Sequence, residues 1–209
     1  MQHDIKDIPM LFTGVMVRAI REDRKTQTRR VLKPQPNRLN GGKPLNNGFG
    51  SYSVEGGWKK LACAPGDTIW VREAWRVRAG KYDRMPPRDL PATSTVLYDA
   101  DKPFDAGLDV GRGRPSIHMP RWASRINLRV TGVKFERLQD ISEKDCLAEG
   151  PTIAEGERGI DGGIHVFTDD PCSYATPRAW YRELWTSING AGSWEANPWV
   201  AAISFERLK

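Results

Sequence analysis

The sequence predicts an α+β fold, a small mixed β-barrel with flanking helices and long loop insertions. Short apolar segments with strand-like spacing occur five or six times, whereas two or three segments have helical spacing. The 20 glycines and 15 prolines indicate many loops. Short strands with few helices favour a small barrel over a doubly wound sheet. A chain of 209 residues without an internal repeat is expected to form a single domain over residues 1–209.

The first sixty residues predict a strand, a helix, a strand and a loop. Residues 9–13 have strand-like spacing, and residues 15–20 then place Val15, Met16, Ala19 and Ile20 at helical intervals. Residues 26–33 are expected to be extended, because their Thr and Val favour strands and Pro34 ends the segment. Residues 35–60 contain paired Gly and Asn and are expected to form a long loop insertion.

The middle of the chain predicts a buried strand followed by a second insertion. Pro65-Gly66-Asp67 is typical of a turn. The next ten residues, TIWVREAWRV at 68–77, predict a strand that is buried on much of both faces. Residues 79–116 are proline-rich and have little periodicity, so they are expected to be mostly loop, with one short strand near Val96–Tyr98.

The segment Arg125–Leu138 predicts a long strand with a bulge. Apolar and polar residues alternate along it, and the alternation slips by one residue at Gly132. Ser142 is typical of a helix N-cap and predicts a short helix that ends at Gly150. Residues 150–176 are rich in Gly and Asp and are expected to form the third insertion.

The last segment predicts a helix and a closing strand. Thr176-Pro177 combines a capping hydroxyl with proline at the first helical position, and Gly190 is expected to end that helix. Its predicted apolar stripe consists of Trp180, Leu184, Trp185 and Ile188. Alternation from Trp199 onward predicts the final strand.

The composition argues against several classes of protein. No apolar run approaches the roughly 18 residues that span a bilayer, and the N-terminus lacks the apolar stretch of a signal peptide. We therefore expect a cytoplasmic protein that does not bind membranes. Three scattered cysteines and three scattered histidines predict neither a disulfide framework nor a metal site, so no cofactor is expected. A Walker motif and a Gly-x-Ser-x-Gly elbow are both missing from the sequence.

The positive charge is concentrated in one segment. The chain has a net charge of +6, and the segment 18–38 alone carries that excess. Its basic residues are Arg18, Arg21, Arg24, Lys25, Arg29, Arg30, Lys33 and Arg38, against Glu22 and Asp23. Such a segment suits contacts with phosphates, although a solvated basic face without a ligand would have the same composition.

Lys25 and Thr28 could form a nucleophile and its base. A threonine hydroxyl needs a base to take its proton, and a lysine can serve when it is neutral. Bringing the pKa of a lysine from about 10.4 to near 7 costs about 4 kcal/mol, and burial or neighbouring cations lower it in this direction. Arg24, Arg29 and Arg30 supply such cations. Residues three apart lie on opposite faces of a strand, so the two side chains meet only if the chain turns between them. The alternative is a basic helix C-terminus that interacts with the helix dipole.

This segment resembles the signature of ASCH domains, a branch of the PUA-like fold associated with RNA. Their pattern is Gly-x-Lys-x-x-Glu-x-Arg, which Lys25 and Arg30 match, whereas Asp23 replaces the Gly and Thr28 replaces the Glu. The small bacterial ASCH enzymes that deacetylate 4-N-acetylcytidine carry Lys-Thr-x-Thr-x-Arg at this place. In those enzymes the Lys, the second Thr and a later Glu are the proposed catalytic residues.

The resemblance continues along the chain. Residues 138–149, LQDISEKDCLAE, resemble the enzymes' segment around the later Glu, and the matching acid is Glu149. Residues 66–71 and 199–208 resemble two of the family's strands. The enzyme-like resemblance covers about half of the chain and leaves out the three insertions. The whole chain is more similar still to ASCH-containing proteins of bacteriophages and prophages, which would place it in the host cytoplasm.

The resemblance implies roles for individual residues. Lys25, Thr28 and Glu149 would be catalytic, without a metal. Arg29, Arg30 and Arg121 would hold a phosphate, and Trp75 or Trp122 would stack on the base. Each of the last five residues, and Glu149 as a helix-end acid, also has a purely structural interpretation.

Three functions follow from these observations. The first is an amidohydrolase that removes an acyl group from a modified pyrimidine nucleoside such as 4-N-acetylcytidine. The second is a non-catalytic RNA- or DNA-binding module, and the third is a ribonuclease. The expected partner is a nucleoside or a nucleic acid, RNA rather than DNA, and the sequence leaves the oligomeric state open.

Overall fold

The computed structural model describes residues 4–37, 39–40, 43–44, 51–61, 63–105, 107–152, 166–167, 173–174 and 176–209. The elements of this part are, in order, β1 (Asp7–Leu11), α1 (Gly14–Arg21), β2 (Gln27–Val31), β3 (Leu39–Asn40), β4 (Lys43–Pro44), β5 (Ser51–Val54), β6 (Gly57–Lys60), β7 (Thr68–Arg72), β8 (Trp75–Val77), β9 (Val96–Tyr98), β10 (Asn127–Arg137), α2 (Glu143–Ala148), β11 (Val166–Phe167), β12 (Ser173–Tyr174), α3 (Pro177–Asn189) and β13 (Trp199–Arg207). The fold is therefore α+β, as predicted.

A five-stranded mixed sheet organises the chain, in the order β1-β7-β10-β13-β2. β1 runs parallel to β7, and the other three pairings are antiparallel. The register of β10 against β13 shifts between Val130 and Gly132, so the predicted bulge is confirmed. A bulge increases the local twist of a strand, and it lies in the strand that joins the two halves of the sheet.

The two edge strands of this sheet lie close to each other. Within the described residues no backbone ladder joins β1 to β2. Instead the Arg30 side chain in β2 donates from Nη2 to the carbonyl oxygen of Leu11 in β1, at 2.7 Å. The sheet is therefore curled enough for one side chain to bridge its edges.

Apolar cores cover both faces of the sheet. The larger core packs α1, through Val17 and Ile20, against Ile69, Leu128 and Phe205 of the sheet. The second core packs α2 and α3 against the opposite face, where Val200 of β13 contributes its side chain. Burial of each large apolar side chain stabilises the fold by about 1.5–3 kcal/mol. β13 is buried on both faces because it lies between the two cores.

Helix α3 begins and ends where the sequence predicts, but its buried face differs. The Thr176 hydroxyl accepts a hydrogen bond from the Ala179 N–H, Pro177 is the first helical residue, and Gly190 ends the helix at φ +93°. Trp180, Tyr181 and Trp185 are buried, whereas Ile188 is 49% exposed. The predicted stripe was therefore wrong at Ile188, because the core shared with Cys146 of α2 includes Tyr181 and not Ile188.

The three insertions contain more structure than loops alone. In the first, residues 51–60 form the β5–β6 hairpin, and Tyr52 is buried in the larger core. In the second, the predicted strand Val96–Tyr98 is confirmed and pairs with β8. The strand predicted over 68–77 is divided, since β7 pairs in the main sheet and β8 pairs outside it. Most of the third insertion, residues 150–176, lies outside the described residues. No described helix is both long and apolar enough to cross a membrane.

Candidate active site

A cavity of about 600 Å³ opens between the start of α1, strand β2, the end of α2 and helix α3. This volume is in the range of small-molecule sites. Its wall includes the polar side chains of Thr28, Arg29, Arg30, Glu149 and Tyr181. Apolar side chains, among them Leu11, Phe12, Met16, Leu184, Trp185 and Ile188, form the rest of the described wall.

A turn after α1 brings Lys25 to this region. α1 ends at Arg21, and Asp23 then adopts a left-handed conformation with φ +56°. The backbone N–H of Lys25 donates to the Ala19 carbonyl at 3.0 Å, so Lys25 folds back against the helix. β2 begins at Gln27, and the chain therefore turns between Lys25 and Thr28, which is the condition for their side chains to share one site.

Lys25 is paired with Glu149 inside the protein. Its Nζ lies 2.6 Å from Glu149 Oε2 and donates to the Glu149 carbonyl oxygen at 3.0 Å. The side chains are 0% and 3% exposed, respectively. Since an unpaired buried charge is costly, this amine and this carboxyl are positioned to share a proton.

Burial lowers the pKa of Lys25 below its ordinary value of 10.5. The charge of Glu149 opposes the shift, while Arg30 and Arg29 add to it. Arg24, the third cation named from the sequence, is engaged elsewhere, because it binds Glu22 and the carbonyl of Gly150. Dehydration of the amine, more than cation crowding, therefore favours its neutral form.

Thr28 is 3% exposed, on β2 opposite Ile203 of β13. Its hydroxyl makes no hydrogen bond with any described residue, and Thr28 lines the same cavity as Glu149. The structure thus brings the three residues predicted to be catalytic into one region. Thr28 and Glu149 form part of the wall, and Lys25 lies behind Glu149.

Arg29 forms its ion pairs inside the protein. It donates from Nε to Glu136 at 2.8 Å and from Nη1 to Glu149 at 2.9 Å, and its side chain is 0% exposed. These contacts fix the position of the Glu149 carboxyl. They also occupy donors that the predicted phosphate contact would need.

Arg30 lines the cavity and is held between the edges of the sheet. One nitrogen binds the Leu11 carbonyl, and the guanidinium lies 5.5 Å from the centre of the Phe12 ring. Its Nε is buried and has no hydrogen-bond partner among the described residues. Arg30 therefore has a position on the cavity wall and a free donor that suit the predicted role in substrate binding.

The structure does not bring Trp75, Trp122 and Arg121 into the cavity wall. Trp75 is 0% exposed and packs edge-on against Trp122 in a separate core. Arg121 binds Asp7 at 2.6 Å and lies over the Trp70 ring. These side chains have structural contacts instead. Trp75, for example, fills a core against which the second insertion packs.

The sequence did not predict the contribution of α3 to the site. Tyr181 and Trp185 are one helical turn apart and both line the cavity. The Arg29 guanidinium lies 5.8 Å from the Tyr181 ring centre, and burial raises the pKa of Tyr181 well above 10.0. The available signal was the spacing of Tyr181, Leu184, Trp185 and Ile188, which places four large side chains on one face. No group of three His, Cys, Asp or Glu side chains in the described ranges could hold a metal ion.

Comparison with known proteins gives little support for an assignment. No family model and no curated protein matches this chain. Among solved structures, the crystal structure of protein EF3133 from Enterococcus faecalis V583, described as a DUF984 protein, aligns with a TM-score of 0.41 and 11% identity. The alignment covers 99% of this chain and 82% of that one. A likeness at this level carries no argument about family or function. A proposal about function must therefore rest on the geometry of the site.

Proposed function

We propose that this protein is an amidohydrolase that removes an acyl group from a modified pyrimidine nucleoside such as 4-N-acetylcytidine. The observation that carries the proposal is the fully buried Lys25 amine held against Glu149, beside a cavity that Thr28 lines. A threonine nucleophile requires a neutral base, and burial favours the neutral form of that amine.

The fold belongs to the proposal as well. We regard the curled five-stranded sheet as the barrel of an ASCH, PUA-like domain, with Arg30 spanning the gap between β1 and β2. Lys25 and Arg30, the two matches to the ASCH pattern, both lie at the cavity region rather than on a distant surface. This placement supports reading them as a functional motif.

In the first half of the reaction, Thr28 reacts with the form of the Lys25–Glu149 pair in which the shared proton lies on the carboxyl and the amine is neutral. Thr28 Oγ1 forms a bond to the amide carbon while its proton passes to Lys25 Nζ, and the carbonyl π electrons move to the oxygen. When the intermediate collapses, the carbon–nitrogen bond breaks. The departing base nitrogen takes the proton from Glu149, which leaves an acyl ester on Thr28.

Water completes the cycle. Its oxygen attacks the ester carbon, Glu149 accepts the proton that water loses, and Lys25 returns its proton to the Thr28 oxygen as the carbon–oxygen bond breaks. The products are the carboxylic acid and the unmodified base, and the pair regains its starting protonation. Arg29 holds Glu149 in place throughout, because its two acid contacts fix the carboxyl.

The test is turnover of 4-N-acetylcytidine by wild type and by a variant without the nucleophile. Thr28→Val keeps the shape of the side chain and removes only the hydroxyl, so we expect kcat to fall at least about 10³-fold. Thr26→Val is the matched control, since Thr26 is exposed two residues earlier and should retain wild-type kcat. Absence of turnover in wild type, or equal turnover in Thr28→Val, would overturn the proposal.

A further inference from the structure

The cavity wall contains hydrogen-bond donors that the described residues leave unused. The described residues form no hydrogen bond to the Tyr181 hydroxyl, although Tyr181 is 3% exposed. Arg30 Nε and Trp185 Nε1 are also buried, and neither has a hydrogen-bond partner among the described residues. All three residues line the one cavity.

Unused buried donors are uncommon in folded proteins. A buried tyrosine or tryptophan usually finds a partner for its polar atom, because leaving a buried polar group unsatisfied destabilises the fold. Two such groups, together with the unbonded Tyr181 hydroxyl on the same cavity wall, therefore point to a ligand that carries a hydrogen-bond acceptor. The ligand atom that such donors fit is an oxygen with partial or full negative charge.

Tyr181 is placed to act on the reacting part of the site. It lines the same cavity as Thr28 and Glu149, and the Arg29 guanidinium, which binds Glu149 at 2.9 Å, lies 5.8 Å from its ring centre. Burial keeps this hydroxyl protonated, because it raises the pKa of Tyr181 well above 10.0. A protonated phenol remains a donor over the whole pH range in which a lysine base would work.

From this arrangement we infer that Tyr181 is a catalytic residue that donates its hydroxyl proton in a hydrogen bond to the substrate carbonyl oxygen. Arg30 Nε lies on the same wall as a second donor. The inference rests on the proposed function: when Thr28 attacks, negative charge develops on that oxygen, and a preorganised donor stabilises it. No proton leaves Tyr181, and no further reactant is needed.

The test compares wild type with Tyr181→Phe in two measurements. The first is kcat and KM for 4-N-acetylcytidine, where the loss of one oxyanion donor lowers kcat about 10²–10³-fold with KM little changed. The second is the affinity for acetate, the product whose carboxylate would occupy the same donors. Loss of one hydrogen bond to a charged group weakens this affinity roughly tenfold or more.

Tyr82→Phe is the control, since Tyr82 lies outside the cavity and packs in the core of Trp75. Tyr181→Phe should keep the wild-type melting temperature, because no described residue shares a hydrogen bond with its hydroxyl and would be left unpaired. If wild type binds acetate through Tyr181 but does not turn over acetylcytidine, the donor site stands and the proposed function fails. Equal acetate affinity in wild type and Tyr181→Phe, including no binding by either, overturns the inference whatever the turnover.

Discussion

At the scale of single residues, the fold buries one lysine amine away from water and places a carboxyl group against it. Lys25 reaches Glu149 at 2.6 Å with both side chains buried. Burial lowers the pKa of Lys25 from 10.5, so the unfolded chain binds this proton more tightly than the folded protein does. The contribution of Lys25 to the free energy of unfolding therefore rises with pH between its lowered pKa and 10.5. If the neutral amine is the base, turnover should rise through the same lowered pKa.

The residue types predicted which side chains form part of this site. The contacts that each side chain makes depend on its surroundings in the fold. Lys25, Thr28 and Glu149 were named from the sequence, and the fold brings them together. Arg29 was expected to face a ligand, but it forms ion pairs with two buried acids. The sequence could not show this, because Glu136 is 107 residues away along the chain.

At the scale of elements, the end of α2 sets the position of the lysine. The Thr26 N–H donates to the Ala148 carbonyl at 2.9 Å, and Arg24 binds the Gly150 carbonyl at 2.7 Å. Gly150 has φ +90°, and a Cβ built on it would lie 2.7 Å from the Lys25 Cβ. Glycine is required here for its conformation and also for the close approach of α2 to Lys25.

Gly150→Ala should therefore destabilise the fold more than an equivalent glycine substitution elsewhere. Gly192→Ala is the matched control, because Gly192 also has positive φ but no atom within 4 Å of a built Cβ. The backbone strain costs about 1–2 kcal/mol at each site, and overlap with Lys25 adds about 1–3 kcal/mol at Gly150. Urea unfolding measures both values. Equal losses of unfolding free energy in the two variants would show that the close approach of the end of α2 to Lys25 adds no strain.

Elements with local signals were predicted well, and those defined by long-range packing were not. Thr176, Pro177 and Gly190 mark α3 by their own chemistry, and Gly132 marks the bulge in β10. The buried face of α3 depends on contacts with α2 and β13, so its exposed Ile188 was not predicted. Tyr181 was missed for the same reason.

At the scale of the whole molecule, three basic residues of the segment 18–38 pair with acids from distant elements. Arg21 pairs with Asp101, Lys25 with Glu149, and Arg29 with Glu136 and Glu149. Arg24 pairs with Glu22 within the segment. The local charge excess thus helps to join α1 and β2 to the rest of the fold, which sequence composition alone does not reveal.

The salt dependence of RNA binding should reflect this internal pairing. If all eight basic side chains of the segment 18–38 contacted phosphates, the slope of log K against log salt for single-stranded RNA would be about −6. With four of them paired internally, we expect a slope shallower than about −3. Fluorescence anisotropy of a labelled RNA across a salt series measures it. A slope near −6 would instead favour the nucleic-acid-binding module.

The central claim is that the Lys25 amine is neutral under conditions in which an ordinary lysine is charged. ¹⁵N NMR of lysine side chains across a pH series tests it directly, with the Lys25 signal assigned by its loss in Lys25→Met. The account predicts that this amine titrates below 10.5, with the other lysines serving as internal references. Titration of Lys25 at or above 10.5 would contradict the account, because Thr28 would then have no base.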